Sequence, residues 1–177
     1  MTTNSSLLNR YLSSMAPYLK PLYDTPISID QGDGSYVWDV EGVEYLDFFG
    51  GVLTTMIDHN NSEVTKAIEL QANKVLHTST LYLSEPMIEL AEEIAAISGI
   101  PDARVFFTAS GSEANDTALM LATNFRSSNE VLAVRNSYHG RTFATQAVTG
   151  QSTWLASRIS GLSVNYVQGP YRLSSPF

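Results

Sequence analysis

Several residue types that would direct a functional assignment are missing or scarce in this sequence. Cysteine is absent from the 177 residues, which excludes disulfides, thiolate metal sites and a cysteine nucleophile. Basic residues are few: 10 Lys and Arg against 18 Asp and Glu give a formal net charge of -8. Because nucleic-acid binding normally needs a basic face, no nucleic-acid partner is expected.

Long hydrophobic runs are also missing. No window approaches the roughly 20 apolar residues of a membrane span, so no membrane partner is expected. The N-terminus has no basic start followed by an apolar core, which is the pattern of a secretory signal. A cytoplasmic location is the resulting expectation.

The residues that are present predict a globular α/β protein. The content of 44% hydrophobic and 16% charged residues is that of an ordinary soluble domain. Residues 26–48 contain short alternating apolar runs separated by Gly-containing turns, which predicts an antiparallel β meander. Beyond Gly50-Gly51 the pattern changes to helices alternating with strands, which favours a largely parallel or mixed sheet. We therefore expect residues 1–50 and 51–177 to belong to different domains.

The expected elements can be stated as ranges. Helices are predicted at 4–16, 62–76, 84–97, 112–125 and 152–158. Strands beyond the meander are predicted at 104–108, 130–134, 142–149 and 162–167.

A turn of small residues precedes the helix predicted at 112–125. Ser110, Gly111 and Ser112 follow an expected strand, so backbone N–H groups and the positive helix end would face an anion. Ser110 and Glu113 also have the S-x-x-E spacing of a capping box, which requires no ligand. Anion binding and capping are equally favoured by the local pattern, and both can hold together.

A second candidate segment is Tyr138-His139-Gly140-Arg141, which follows the apolar strand at 130–134. Ligands bind at the carboxyl ends of strands in α/β sheets. Tyr138 could lie against a flat ring, and Arg141 could hold a carboxylate. Taken alone, a surface aromatic and an ordinary salt bridge are the favoured interpretation of these two residues.

The remaining motifs do not predict a dinucleotide site or a zinc site. Gly32-Asp33-Gly34 lies in a predicted hairpin and lacks the third glycine of a dinucleotide fingerprint. His59, His77 and His139 show no metal-ligand spacing, so no zinc site is expected.

Several segments together resemble the class III (ω-amino-acid) aminotransferases, a family of pyridoxal-phosphate enzymes of fold type I. The segments, in register over residues 27–172, are 32–39 with 45–48, Asp58-His59-Asn60-Asn61, 77–82, 106–115 and 138–142, and Gly169-Pro170-Tyr171 continues the match. The pattern is most similar to the alanine–glyoxylate branch. The resemblance implies an α/β fold in which residues 1–50 supply the β meander of the small domain and residues 51–177 the first part of the large domain.

The resemblance also implies which positions hold pyridoxal 5'-phosphate and substrate. The cofactor-binding positions are Ser110, Gly111, Ser112, Tyr138 and His139. The substrate-side positions are Val52, Tyr82 and Arg141. Val52 falls where some relatives carry a hydroxylated aromatic, so their specificity does not transfer directly. The resemblance further implies amino acid and 2-oxo acid substrates and a homodimer.

No catalytic residue can be assigned within these 177 residues. In this family the lysine that binds the cofactor covalently, and the acidic residue that pairs with its ring nitrogen, would lie beyond Phe177. Lysine occurs only at Lys20, Lys66 and Lys74, in segments unlike the family's lysine loop. The leading hypothesis is the N-terminal half of an aminotransferase, completed by a C-terminal half or a second chain. The alternative is a non-catalytic pseudoenzyme or binding module that pairs with a related full-length chain.

Overall fold

The structure is a computed structural model that describes residues 2–156 and 159–169. The chain divides into two compact units, Met1–Ser84 and Glu85–Phe177. The domain boundary expected near residue 50 stays a prediction.

The first unit contains two helices and a small sheet. Helix α1 (Asn4–Ser14) begins at the N-cap Thr3, which forms a capping box with Ser6. Strands β1 (Ile29–Asp33), β2 (Tyr36–Asp39) and β3 (Glu44–Leu46) form an antiparallel sheet in the order β1-β2-β3. Helix α2 (Ser62–Ala72) begins after Asn61, whose side chain accepts the N–H groups of Glu63 and Val64. The predicted meander is confirmed.

The second unit has the α/β pattern. Its elements are α3 (Glu85–Ile97), α4 (Gly111–Arg126), β4 (Glu130–Val134), α5 (Phe143–Val148), a 3₁₀ turn (Ser152–Trp154) and β5 (Ser163–Val167). Strands β4 and β5 pair in parallel, with Glu130 opposite Ser163 and Val134 opposite Val167. This pairing confirms the predicted parallel connection, with α5 lying between the two strands in sequence.

Two predicted strands are wrong. Residues 142–149 are rich in threonine, which favours β structure, yet they form α5. Thr142 and Thr145 make a capping box there, and this local hydrogen bonding starts a helix. Residues 104–108 form no strand, because no described strand pairs with them and strand structure requires a hydrogen-bonded neighbour. Of the helix predicted at 152–158, a 3₁₀ turn is observed, and residues 157–158 lie outside the described part.

Few apolar side chains are buried. Among the described residues, the buried apolar ones are Val37, Ala133, Ala147 and Val148. Large apolar side chains such as Phe48 and Phe125 stay exposed, at 92% and 87%. Within the described part of the chain, no helix combines the length and apolar character that crossing a bilayer requires.

Candidate functional site

The N-terminus of α4 is capped as its sequence predicted, with one difference. The Ser110 side chain accepts the N–H of Glu113 at 3.2 Å, and the Ser110 carbonyl accepts the N–H of Ala114 at 3.0 Å. The Glu113 carboxylate accepts the N–H of Ala109 at 2.8 Å, whereas a capping box would place it on Ser110. The Ser110 side chain therefore caps the helix, while the Glu113 side chain binds Ala109, the residue before the N-cap.

The first turn of α4 keeps donors available for an anion. Within residues 2–156 and 159–169, the N–H groups of Gly111 and Ser112 have no hydrogen-bond partner. No heavy atom lies within 4 Å of the point where a Cβ of Gly111 would stand. Two unpaired N–H groups at the positive end of a 16-residue helix, beside open space, fit a phosphate group. Capping and anion binding are thus compatible here.

The segment after β4 lies against this helix terminus. The backbone N–H of Arg141 donates to the Ser112 side chain at 3.2 Å. The Asn115 side-chain amide donates to the carbonyl of His139 at 2.8 Å, and the Thr142 hydroxyl donates to Asp116 at 3.0 Å. Three contacts therefore join the two candidate segments of the sequence into one site.

Gly140 is the point of closest approach between these segments. Its φ is +134°, a backbone conformation that L-residues rarely adopt. A Cβ at this position would stand 2.8 Å from the Cβ and 2.9 Å from the Cα of Ser112. Only glycine allows the loop to lie this close to α4.

Tyr138 contacts the side chains of Trp154 and Arg141. Its ring packs against Trp154 in an edge-to-face arrangement, with centroids 5.3 Å apart and planes at 90°. Its hydroxyl accepts the Nε–H of Arg141 at 3.4 Å. Tyr138 is 45% exposed as a residue, so it retains surface against which a ligand ring can lie.

The backbone of His139 is held from both sides. Its N–H donates to the Thr149 hydroxyl at 3.1 Å, and its carbonyl accepts from Asn115. Thr149 is fully buried and also donates to the carbonyl of Thr145 at 2.8 Å. Sequence reasoning missed the contributions of Asn115, Thr149 and Trp154. Asn115 could have been noticed because it ends the 106–115 motif, whereas nothing in the local sequence marks the other two.

The two remaining predicted positions, Val52 and Tyr82, belong to the first unit. Val52 is 72% exposed and has a φ of +57°, which is unusual for a β-branched residue. Tyr82 is exposed, and its N–H donates to the carbonyl of Ser79 at 3.0 Å. Ser110, Gly111, Ser112, Tyr138, His139 and Arg141 all belong to the second unit. The substrate roles of Val52 and Tyr82 stay predictions.

Asp47 organises the start of the turn that carries Val52. Its carboxylate accepts the N–H groups of Phe49 and Gly50 at 2.8 and 3.1 Å. His59 lies 2.7 Å away on the other carboxylate oxygen. The hydrogen bonds from Gly50 and Phe49, followed by that from His59, lower the pKa of Asp47 below its ordinary value.

Known proteins are similar to this chain in sequence. Residues 18–175 match the model of the family described as Aminotransferase class-III. Acetylornithine aminotransferase of Methanothermobacter thermautotrophicus is 44% identical over 129 residues, which is 73% of this chain and 33% of that protein. Alanine–glyoxylate aminotransferase 2 homolog 2, mitochondrial, of Arabidopsis thaliana is 34% identical over 166 residues, which is 93% of this chain and 34% of that protein.

A solved structure gives a similar result. The omega transaminase of Pseudomonas jessenii in complex with PMP superposes with a TM-score of 0.81 at 27% identity, covering 97% of this chain and 41% of that one. The chain spans about a third of the length of the curated relatives it matches.

Proposed function

Since this chain belongs to the class-III aminotransferases, we propose that it is the N-terminal part of an enzyme that moves an amino group from an amino acid to a 2-oxo acid. The predicted family and the α/β fold of type I are thereby confirmed. The observation that carries the proposal is the joining of the open helix terminus at Gly111 and Ser112 to the segment 138–141. We propose an alanine or ω-amino-acid donor, which the names of the acetylornithine and alanine–glyoxylate relatives support.

The hydroxyl groups of the α4 terminus are suited to a phosphate. Ser110 Oγ accepts the N–H of Glu113, and Ser112 Oγ accepts the N–H of Arg141. Because a hydroxyl both accepts and donates, each serine keeps its O–H for a phosphate oxygen. With the N–H groups of Gly111 and Ser112, this gives four donors to the phosphate of pyridoxal 5'-phosphate.

The other residues of the site orient a ring and a substrate. In this proposal Tyr138 supplies an aromatic surface for the pyridine ring, His139 lies beside it, and Arg141 binds a substrate carboxylate. When bound, the cofactor supplies an electron sink for the carbon that loses its proton. The contribution of this chain is to bind and orient, because the proposal assigns it no proton-transferring group.

The group that transfers the proton must come from other residues. The three lysines all precede residue 85, so the unit Glu85–Phe177 contains none. We propose that the lysine comes from additional polypeptide, in the same chain or a second one, and that the working enzyme is a homodimer. Coverage of about a third of each curated relative supports this proposal.

The phosphate site can be tested with Gly111→Asp. A Cβ at Gly111 meets no atom within 4 Å, and an acidic residue in the first turn of a helix is stabilising, so the variant should fold. Its carboxylate would lie where the phosphate binds and would repel it. We expect the affinity for pyridoxamine 5'-phosphate, measured by calorimetry on the 177-residue chain, to fall at least about tenfold. Pyridoxamine 5'-phosphate is chosen because it has no aldehyde to label lysines at random.

Gly161→Asp is the matched control, because a Cβ at Gly161 also meets nothing within 4 Å. It adds the same charge to the same unit, and we expect it to bind like the unsubstituted chain. Equal losses in both variants would indicate a general charge effect. Unchanged affinity in Gly111→Asp, or no binding by the unsubstituted chain, would contradict the proposed site.

A further inference from the structure

Helix α5 contains a buried glutamine, Gln146. Its buried neighbours are either apolar or, like Thr145, hydrogen bonded to a residue close in sequence. Gln146 is 6% exposed and is followed by the buried residues Ala147 and Val148. Burying a primary amide is unfavourable unless both of its ends are hydrogen bonded. A methionine of similar size would fill the position without that cost, so the amide has to be explained by its hydrogen bonds.

Both ends of the Gln146 amide are used, and they bind different segments. Its Nε2 donates to the carbonyl of Gly140 at 2.9 Å. Its Oε1 accepts the backbone N–H of Ala156 at 2.8 Å. Nε2 also lies 3.5 Å from the carbonyl of Trp154. One side chain therefore connects the loop after β4 to the segment that follows the 3₁₀ turn.

Each connected segment carries part of the candidate site. Gly140 lies against Ser112 at the α4 terminus, and the next residue donates its N–H to Ser112. Trp154 packs edge-to-face with Tyr138. Gln146 thus connects the backbone that contacts the phosphate-binding turn to the segment that carries the neighbour of the stacking ring.

We propose that Gln146 is a positioning residue for the cofactor site. It holds the carbonyl of Gly140 and the N–H of Ala156 at a fixed separation, and so sets Tyr138 and Ser112 relative to each other. This inference rests on the proposed function, since it concerns the orientation of a bound pyridoxal-type ring. Gln146 touches neither cofactor nor substrate in the proposal, so its effect passes through Gly140 and Trp154.

The test compares Gln146→Met with Gln151→Met in chains that also carry Trp38→Phe. Methionine keeps the volume of Gln146 and removes its hydrogen bonds to Gly140, Ala156 and Trp154. Gln151 makes no side-chain cap hydrogen bond, and its backbone N–H to Ser137 is retained in the variant. Trp38→Phe leaves Trp154 as the only tryptophan, because the chain has two.

Three measurements are made on each chain. We expect Gln146→Met to raise the hydrogen-exchange rate of the Ala156 amide at least about tenfold, since that amide loses its acceptor. We expect the emission of Trp154 to shift, because its contact with Tyr138 loosens. The affinity for pyridoxamine 5'-phosphate should fall several-fold. Gln151→Met should leave all three values unchanged.

The outcomes separate this inference from the proposed function. Unchanged exchange at Ala156, or changed exchange and emission with unchanged affinity, would overturn the positioning role. Failure of the unsubstituted chain to bind pyridoxamine 5'-phosphate would instead overturn the proposed function, and the positioning role with it.

If Gln146→Met does not fold, Gln146→Glu replaces it. Glutamate keeps an acceptor for Ala156 and loses the donor to Gly140, so it should preserve the exchange rate and still lower the affinity; preserved affinity would overturn the role.

Discussion

At the scale of single residues, the candidate site depends on close contact between Gly140 and Ser112. The glycine has a φ of +134°, and the serine side chain receives the N–H of the following residue. The two residues are 28 positions apart in sequence, and neither motif predicts its contact with the other. The cap formed by Ser110 was predictable, because its partner Glu113 is three residues away.

Gly140→Ala should therefore destabilise the second unit. The added methyl would overlap Ser112, and the backbone conformation is unfavourable for alanine, so we expect a loss of about 1–3 kcal/mol in the free energy of unfolding. Urea unfolding followed by Trp154 fluorescence in a Trp38→Phe chain measures it. Gly161→Ala, whose methyl would meet nothing, should stay within about 1 kcal/mol of the parent. Equal stability of the two variants would contradict the close contact.

At the scale of elements, α1 is attached to the meander through one asparagine. Asn4 Nδ2 donates to Asp39 and to Glu41, each at 2.9 Å, and its Oδ1 accepts the N–H of Ser28 at 2.6 Å. Asp39 also accepts the N–H groups of Glu41 and Val43 and the hydroxyl of Tyr45. The hydrogen bond between Asn4 and Asp39 therefore connects the helix to the sheet.

The stability of the first unit should fall in acid because of this carboxylate. The N–H of Val43 lowers the pKa of Asp39 most; burial opposes this, and Asn4, Glu41 and Tyr45 add to the lowering. Since the folded pKa lies below the unfolded value of about 3.8, stabilisation is complete above that value and is lost as the pH falls through the folded pKa. Urea midpoints from Trp38 fluorescence, in a Trp154→Phe chain, should be lower at about pH 3 than at about pH 7.

Asp39→Asn provides the comparison for this prediction. We expect it to lower the midpoint at neutral pH, because asparagine cannot accept all of these hydrogen bonds. Its further loss in acid should be smaller than that of the parent. Some acid loss should remain, because the pKa of Asp47 is lowered as well. An identical acid loss in parent and variant would show that Asp39 has no part in it.

Element types were predicted well where the signal was local. The meander, α4 and β4 follow from turn residues, an N-cap and an apolar run, which lie within a few positions of each other. Residues 142–149 were predicted wrongly, because β-branched composition favoured a strand while the Thr142 cap and burial against the sheet favoured α5. Packing decides such short segments more than propensity does.

At the scale of the whole molecule, many large apolar side chains of the described residues are exposed. Among them are Leu83 and Leu76, at 90% and 85% exposure. Extended exposed apolar surface promotes association.

We therefore expect the isolated chain to self-associate reversibly at high concentration while its units stay folded, and to become monodisperse when the additional polypeptide is present. Sedimentation velocity measures the first effect. For the second, borohydride reduction after addition of pyridoxal phosphate, followed by intact-mass analysis, should place the cofactor on the additional polypeptide. A monodisperse monomer over the whole concentration range would contradict the first expectation. A cofactor attached to no chain would favour the non-catalytic binding module.

The sequence by itself determined the family, the capped turn at Ser110, Gly111 and Ser112, and the identity of the aromatic and basic residues at 138 and 141. These features depend on residue type and on spacings of a few positions, which local hydrogen bonding enforces. Tertiary structure alone decided that Arg141 meets Ser112, that Trp154 packs on Tyr138, and that Gln146 connects their segments. Those contacts depend on how the chain returns to itself over many residues. That path is set by the packing of α5 on β4 and of α4 on α5.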